Sequence, residues 1–259
     1  MIRRVSRRPL RSLAAGLALA LMAAGPVAAA DFGVVPLKVL LSQSKSTEVL
    51  TIRNNSATPL RLQVEGKKWA QGTDKAWQLT DTDDLIFSPE ILTVAPSGEA
   101  TLRVGTLEQA DEKELSYRVL LTEIRDSTQA TAPGLSLNVR TQVSLPVFVD
   151  PAGVAPKPAL VSAERRQNTV RLGVDNSGTA RIDAQGVGVD LLDASGKVVD
   201  TTQATSSYAL GGASMFIDVA VKAASCKVAT SVRLTLSSPV VTLTHDLPAA
   251  AQQCGGASS

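Results

Sequence analysis

Between Leu135 and Val149 the chain reads LSLNVRTQVSLPVFV, and every second residue is apolar or Thr: Leu135, Leu137, Val139, Thr141, Val143, Leu145, Val147 and Val149. Most of the residues between them are polar: Ser136, Asn138, Arg140, Gln142 and Ser144, followed by Pro146 and Phe148. A period of two predicts a strand with one apolar face. This strand is about twice the usual length of about 5–6 residues. Pro146 cannot donate to a ladder, which places it at an edge or a bulge. A long apolar edge is a template for pairing, so either the fold covers it or another chain does.

The rest of the first half repeats the period in shorter pieces. Asp31 to Leu41 carries Val35, Leu37, Val39 and Leu41 on one side, with Pro36 interrupting and Lys38 opposite. Glu48 to Asn54 and Leu60 to Trp69 follow, then Leu85 to Phe87, Ile91 to Val94, Ala100 to Val104 and Leu115 to Ile124. Turn residues separate them: Asn54-Asn55-Ser56, Gly72-Thr73-Asp74, Asp81 to Asp84, Ser97-Gly98 and Pro133-Gly134. Short strands at regular spacing without a helical period predict an all-β sandwich, here of seven strands within 31–150, the count of an immunoglobulin-like domain. The Cys…Trp…Cys pattern of antibody domains is absent.

Asp150-Pro151-Ala152-Gly153-Val154-Ala155-Pro156-Lys157-Pro158 reads as a hinge. Beyond it the theme returns. Asp175-Asn176-Ser177-Gly178 echoes Asn54-Asn55-Ser56, and Asp193-Ala194-Ser195-Gly196 is a hairpin turn signal. The expected organisation is two immunoglobulin-like sandwich domains, 31–150 and 158–248, joined by a Pro-rich linker at 151–157. A small, polar, flexible tail is expected over 249–259.

Residues 1–30 stand apart. Arg3, Arg4, Arg7, Arg8 and Arg11 precede an apolar run from Leu13 to Ala24 and a small-residue stretch ending at Ala30. This predicts a secretory signal peptide, and the apolar run is short for a membrane span. Its removal changes the charge: 21 Lys+Arg against 24 Asp+Glu remain, a formal −3. The basic whole-chain balance is therefore no argument for nucleic-acid binding. No later segment has the length and apolarity of a membrane helix, so no stable membrane insertion is expected. In an exported, oxidising setting Cys226 and Cys254 are expected to pair as a disulfide.

Chemistry is hard to find. His245 is the one histidine and has no triad partners in pattern. Two distant cysteines and one histidine do not make a zinc site, and no phosphate-binding Gly loop follows a strand. Asp81, Asp83 and Asp84 lack the Gly and distal Glu of a calcium loop. Trp69 and Trp77 flank a turn, and core or hairpin packing explains them better than a sugar platform. The chain is read as a non-enzyme without metal or cofactor.

Several stretches together resemble the periplasmic pilus chaperones, the PapD-like family. They are Pro36-Leu37-Lys38-Val39, Ile52-Arg53-Asn54-Asn55, Asp84-Leu85-Ile86-Phe87-Ser88-Pro89, Leu92-Thr93-Val94-Ala95-Pro96, Thr101-Leu102-Arg103-Val104, Ser116-Tyr117-Arg118-Val119 and Leu145-Pro146-Val147-Phe148-Val149. The Pro-Val-Phe-Val ending is closer to the archaic, spore-coat-U-type branch. The second half is similar in architecture only.

The resemblance implies a periplasmic chaperone of fimbrium biogenesis in the chaperone-usher pathway, acting by donor-strand complementation. A long strand fills the open core of an incomplete pilin subunit, which then passes to an outer-membrane usher. By position Leu135, Leu137 and Val139 match the donor residues, and Thr141 and Val143 continue their face. The family holds the subunit's terminal carboxylate with two cations. Lys38 falls on the first position, but Ser144 stands at the second. Arg140, Arg103 and Arg118 remain as candidates for the missing cation, since an Arg can hold a carboxylate with two parallel bonds. A donor strand without its subunit leaves self-association open. The competing reading is a two-domain secreted adhesin or structural surface protein.

Overall fold

The computed structural model describes residues 31–72, 76–124, 140–248 and Cys254. It is nearly all β, with two immunoglobulin-like sandwiches. Ten strands make the first: β1 (Phe32–Val35), β2 (Val39–Ser42), β3 (Thr47–Asn54), β4 (Leu60–Gln71), β5 (Trp77–Asp81), β6 (Leu85–Ser88), β7 (Ile91–Val94), β8 (Glu99–Thr106), β9 (Leu115–Glu123) and β10 (Gln142–Asp150). One sheet has the order β1-β3-β8-β6, and the other has β2-β10-β9-β4-β5 with β7 also on β4.

The expected count of seven strands falls short of the ten found, and two of the additional strands have a clear origin. The segment read as one strand from Asp31 to Leu41 divides at Pro36, and its halves join opposite sheets: β1 pairs with β3, β2 with β10. Trp77 to Asp81, not singled out as a strand, is the return arm of a hairpin on β4.

The inward residues follow the period of two. Leu50 and Ile52 of β3, Leu62 and Val64 of β4, Leu102 and Val104 of β8, Tyr117, Val119 and Leu121 of β9, and Leu145, Val147 and Val149 of β10 form one buried cluster. Val143 packs against it, partly buried. Full burial of each such aliphatic is worth about 1.5–3 kcal/mol.

The second sandwich has β11 (Pro158–Arg166), β12 (Thr169–Asn176), β13 (Ile182–Leu192), β14 (Val198–Ala204), β15 (Tyr208–Ala209), β16 (Ser214–Ala220), β17 (Ser231–Ser238) and β18 (Val240–Asp246). Its sheets run β11-β12-β16 and β14-β13-β17-β18, with β15 on β13. One short helix among the described residues, α1 (Ala223–Val228), was not expected; six residues are too few to display a helical period. It carries Cys226, which forms a disulfide with Cys254. Arg165 braces this corner, donating to the carbonyls of Pro248 at 2.8 Å and Ala229 at 2.6 Å, and to that of Cys226.

The two Asn-Ser echoes in the sequence are one device used twice. The Nδ2 of buried Asn54 donates to the carbonyls of Thr58, Val94 and Ala95. That of Asn176 donates to the carbonyls of Ala180, Ala209 and Leu210, while its Oδ1 accepts the N–H of Lys157 and Gly178. Asn176 thus ties the 151–157 connection to the loop that presents Tyr208. The approach is close: a Cβ on Gly178 would stand 2.3 Å from the Ala155 carbonyl oxygen.

Candidate functional site

Two features stand out, an open strand edge and the cleft beside it. β10 pairs antiparallel with β9 along Gln142–Val149. Its other side is covered by β2 only over Val147–Asp150. Upstream of Val147, no described strand lies on that side. Pro146 falls at this uncovered stretch, where its missing N–H breaks no ladder bond to β2. Leu135, Leu137 and Val139 lie outside the described residues. Thr141 precedes the strand, and its N–H donates to Glu123 Oε2 at 3.3 Å. Val143 packs against the domain's own core.

The cleft is built on the outer face of the β2-β10-β9-β4-β5 sheet. Alternation puts Phe148, Arg118, Trp69, Gln71 and Trp77 on that face, opposite the core-facing residues. The second sandwich covers part of it. Trp69, Phe148, Tyr208 and Leu210 form a separate buried cluster. Ring centroids lie 5.8 Å apart for Trp69 and Tyr208, 5.2 Å for Phe148 and Tyr208, and 5.0 Å for Trp69 and Trp77. The chain has two Trp, two Tyr and four Phe, and half of these eight meet here. Gln71 fastens the second sandwich, donating to the Tyr208 carbonyl at 2.8 Å and accepting the Leu210 N–H at 2.7 Å.

Arg118 packs against both tryptophans, 3.9 Å from the Trp69 ring and 4.1 Å from that of Trp77. It is buried, yet its Nε has no hydrogen-bond partner, and neither does the indole N–H of Trp69. No carboxylate among the described residues forms an ion pair with it. Burial pushes the guanidinium down to about 10, with Tyr208 acting in the opposite sense, so it stays charged at neutral pH. The phenol of Tyr208 is pushed up, first by burial and then by the Asp183 carboxylate, against the pull of Arg181 and Arg118.

Lys38 reaches the same cleft, its Nζ donating to Asp183 Oδ2 at 2.8 Å. A second set of charges closes the domain boundary. Arg181 pairs with both Glu114 and Asp150 and lies 4.0 Å over the Phe148 ring. Burial is the main force raising the Glu114 carboxyl, to about 7; Arg181 opposes it and Asp150 reinforces it.

Of the anchor candidates, the structure therefore brings Lys38 and Arg118 to one cleft around Tyr208. Arg103 goes elsewhere: it is exposed on β8, between Val49 and Ser88, in the other sheet. Arg140 is exposed just upstream of β10, and Ser144 is exposed on the cleft-side face of that strand. Trp69 and Trp77 pack in the core and hairpin as the sequence suggests, whereas Phe148, Tyr208, Asp183 and Arg181 were not singled out for this site. Phe148 offered a signal, an aromatic in the otherwise polar register of β10. His245 forms a hydrogen bond with the adjacent Asp246 carbonyl, and no metal-binding group of His, Cys, Asp or Glu occurs among the described residues.

Comparison with known proteins bears on the fold. Residues 32–155 match the family of pili and flagellar-assembly chaperones, PapD N-terminal domain. The fold matches a chain of the complex between chaperone and tip subunit of the archaic Csu pili of Acinetobacter baumannii, with a TM-score of 0.55 and 16% identity over 84% of this chain and 98% of that one. It also matches a chain of the SafA pilin–SafB chaperone complex of Salmonella enterica, with a TM-score of 0.55 and 12% identity over 86% and 99%. The CupB2 chaperone of Pseudomonas aeruginosa matches with a TM-score of 0.52 and 14% identity over 83% and 100%. No curated protein sequence matches the chain. Residues 32–155 therefore carry the pilus-chaperone N-terminal domain, of a family of non-enzymatic binding proteins. No helix among the described residues is long and apolar enough to cross a membrane.

Proposed function

We propose that the chain is a periplasmic chaperone of the archaic chaperone-usher branch, which binds pilin subunits by donor-strand complementation and passes them to an outer-membrane usher. The observation that carries this reading is the uncovered side of β10 upstream of Val147, continuous in sequence with the alternating Leu135, Leu137 and Val139. A subunit strand added there completes a ladder. The alternate side chains enter the subunit's open core, each worth about 1.5–3 kcal/mol if fully buried.

The cleft supplies the second half. Lys38 and Arg118 are the two cations for the subunit's terminal carboxylate, and Arg118 takes the role that Ser144 cannot. The buried Nε of Arg118 and the buried indole N–H of Trp69, both without an acceptor, suit an anionic ligand. The Arg fork offers paired donors to both carboxylate oxygens. Domains 31–150 and 158–248 hold the cleft between them, 151–157 is the hinge, and residues 1–30 direct export.

Co-expression with a pilin-like subunit tests the reading. A 1:1 periplasmic complex should form, and Leu137→Asp, Lys38→Ala and Arg118→Ala should each reduce its yield. Unchanged yield with all three variants would remove the mechanism.

A further inference from the structure

Lys38 already holds a carboxylate. Its Nζ lies 2.8 Å from Asp183 Oδ2, on the other side of the domain boundary. Asp183 is well placed to stay there. Its Oδ1 accepts the N–H of Gln185 at 3.2 Å, β13 fixes its backbone between Tyr208 and Ser238, and its side chain is 14% exposed. Lys38 itself is 34% exposed, reachable from solvent. Arg118, in the same cleft, has no acidic partner among the described residues. One cation of the cleft is thus capped by an internal anion and the other is open.

We propose that Asp183 is an internal stand-in for the subunit's terminal carboxylate, capping Lys38 in the free chain and yielding it when a subunit binds. This rests on the anchor role assigned to Lys38 and Arg118 above. Electrostatics gives the cap its effect. Lys38 and Asp183 neutralise each other, so an arriving carboxylate meets attraction from Arg118 and repulsion from Asp183 until the pair separates. A partly exposed ion pair is weak, so the cap lowers affinity by a modest factor and does not close the cleft.

The effect is selective. A subunit that also forms strand contacts along β10 has binding energy to separate the pair, whereas a stray anion or an unrelated C-terminus does not. Separation also removes one tie between the domains while the Arg181 and Gln71 contacts remain. Subunit binding and a change in the domain angle are coupled through this pair.

The test uses two peptides of one alternating apolar–polar sequence, one ending in a free carboxylate and its twin amidated. The chain's two tryptophans both border Arg118, so intrinsic fluorescence reads the cleft directly. Asp183→Asn should bind the carboxylate peptide about three- to tenfold tighter than the unmodified chain, with the amidated twin unchanged. Asp183→Ser, a second way to remove the charge, should do the same. If the unmodified chain prefers the carboxylate and neither variant gains, the cap is wrong while the anchor stands. Weaker carboxylate binding by both variants also overturns it, because Asp183 would then be positioning Lys38. If no protein distinguishes the two peptides, the anchor fails and the cap with it.

Discussion

The Arg118 guanidinium lies 3.9 Å from the ring of Trp69, in a cleft that offers it two indoles and no carboxylate. A buried cation in such a place is costly to desolvate, and its lowered pKa is the direct expression of that cost. Cation–π contact offsets part of it. A ligand carboxylate would offset the rest, which makes Arg118 the residue where binding and stability separate most clearly.

Arg118→Met should leave stability within about 1 kcal/mol, because loss of the ring contact is balanced by relief of desolvation. Subunit affinity should fall about tenfold to a hundredfold, the range for hydrogen bonds to a charged group. Urea denaturation and fluorescence titration on the same samples check both halves. Arg118→Lys should recover only part of the affinity, since a point charge lacks the two-pronged geometry.

Glu114 gives a pH signature. Its carboxyl is raised to about 7 by burial, against Arg181 and with Asp150. The folded chain therefore holds a proton that the unfolded chain releases near its ordinary, lower value. The contribution of this group to stability is fully present below about 4.5 and is lost as pH rises through about 7, by up to about 3 kcal/mol. Glu114→Gln should flatten that slope. Urea midpoints across pH 4.5 to about 8 for both proteins measure it.

The Cys226–Cys254 disulfide closes a separation of 28 residues, worth about 3–4 kcal/mol by chain entropy. Reduction, or Cys254→Ala, should lower the melting temperature of the second sandwich. The tryptophans belong to the first, so their unfolding transition should shift less than far-UV circular dichroism. Coincident shifts of equal size would show that the two domains unfold as one unit.

Much of this was legible in the sequence, and the boundary has a physical basis. The inward face of β10 followed directly from alternation at Leu145, Val147 and Val149. The Asn54 and Asn176 echoes marked equivalent corners before their hydrogen bonds were known. What alternation cannot show is which outward face is covered. Phe148 is fully buried because the second sandwich lies over it, a contact between residues 60 positions apart, Phe148 and Tyr208. Arg118 stood among several cations with no local feature to separate it from Arg103. Only the sheet order sends one to the cleft and the other to the opposite face. Asp183 was silent for the same reason, since its partner Lys38 is 145 residues away.

The central claim is that the strand leading into β10 is lent to a subunit. Backbone hydrogen exchange over residues 135–146, in the free chain and in a purified 1:1 complex with a pilin-like subunit, tests it most directly. Ladder bonds to a subunit strand should slow exchange across this segment by about tenfold or more, at alternating amides where the register is resolved. A stable complex in which these amides exchange as they do in the free chain would contradict the account.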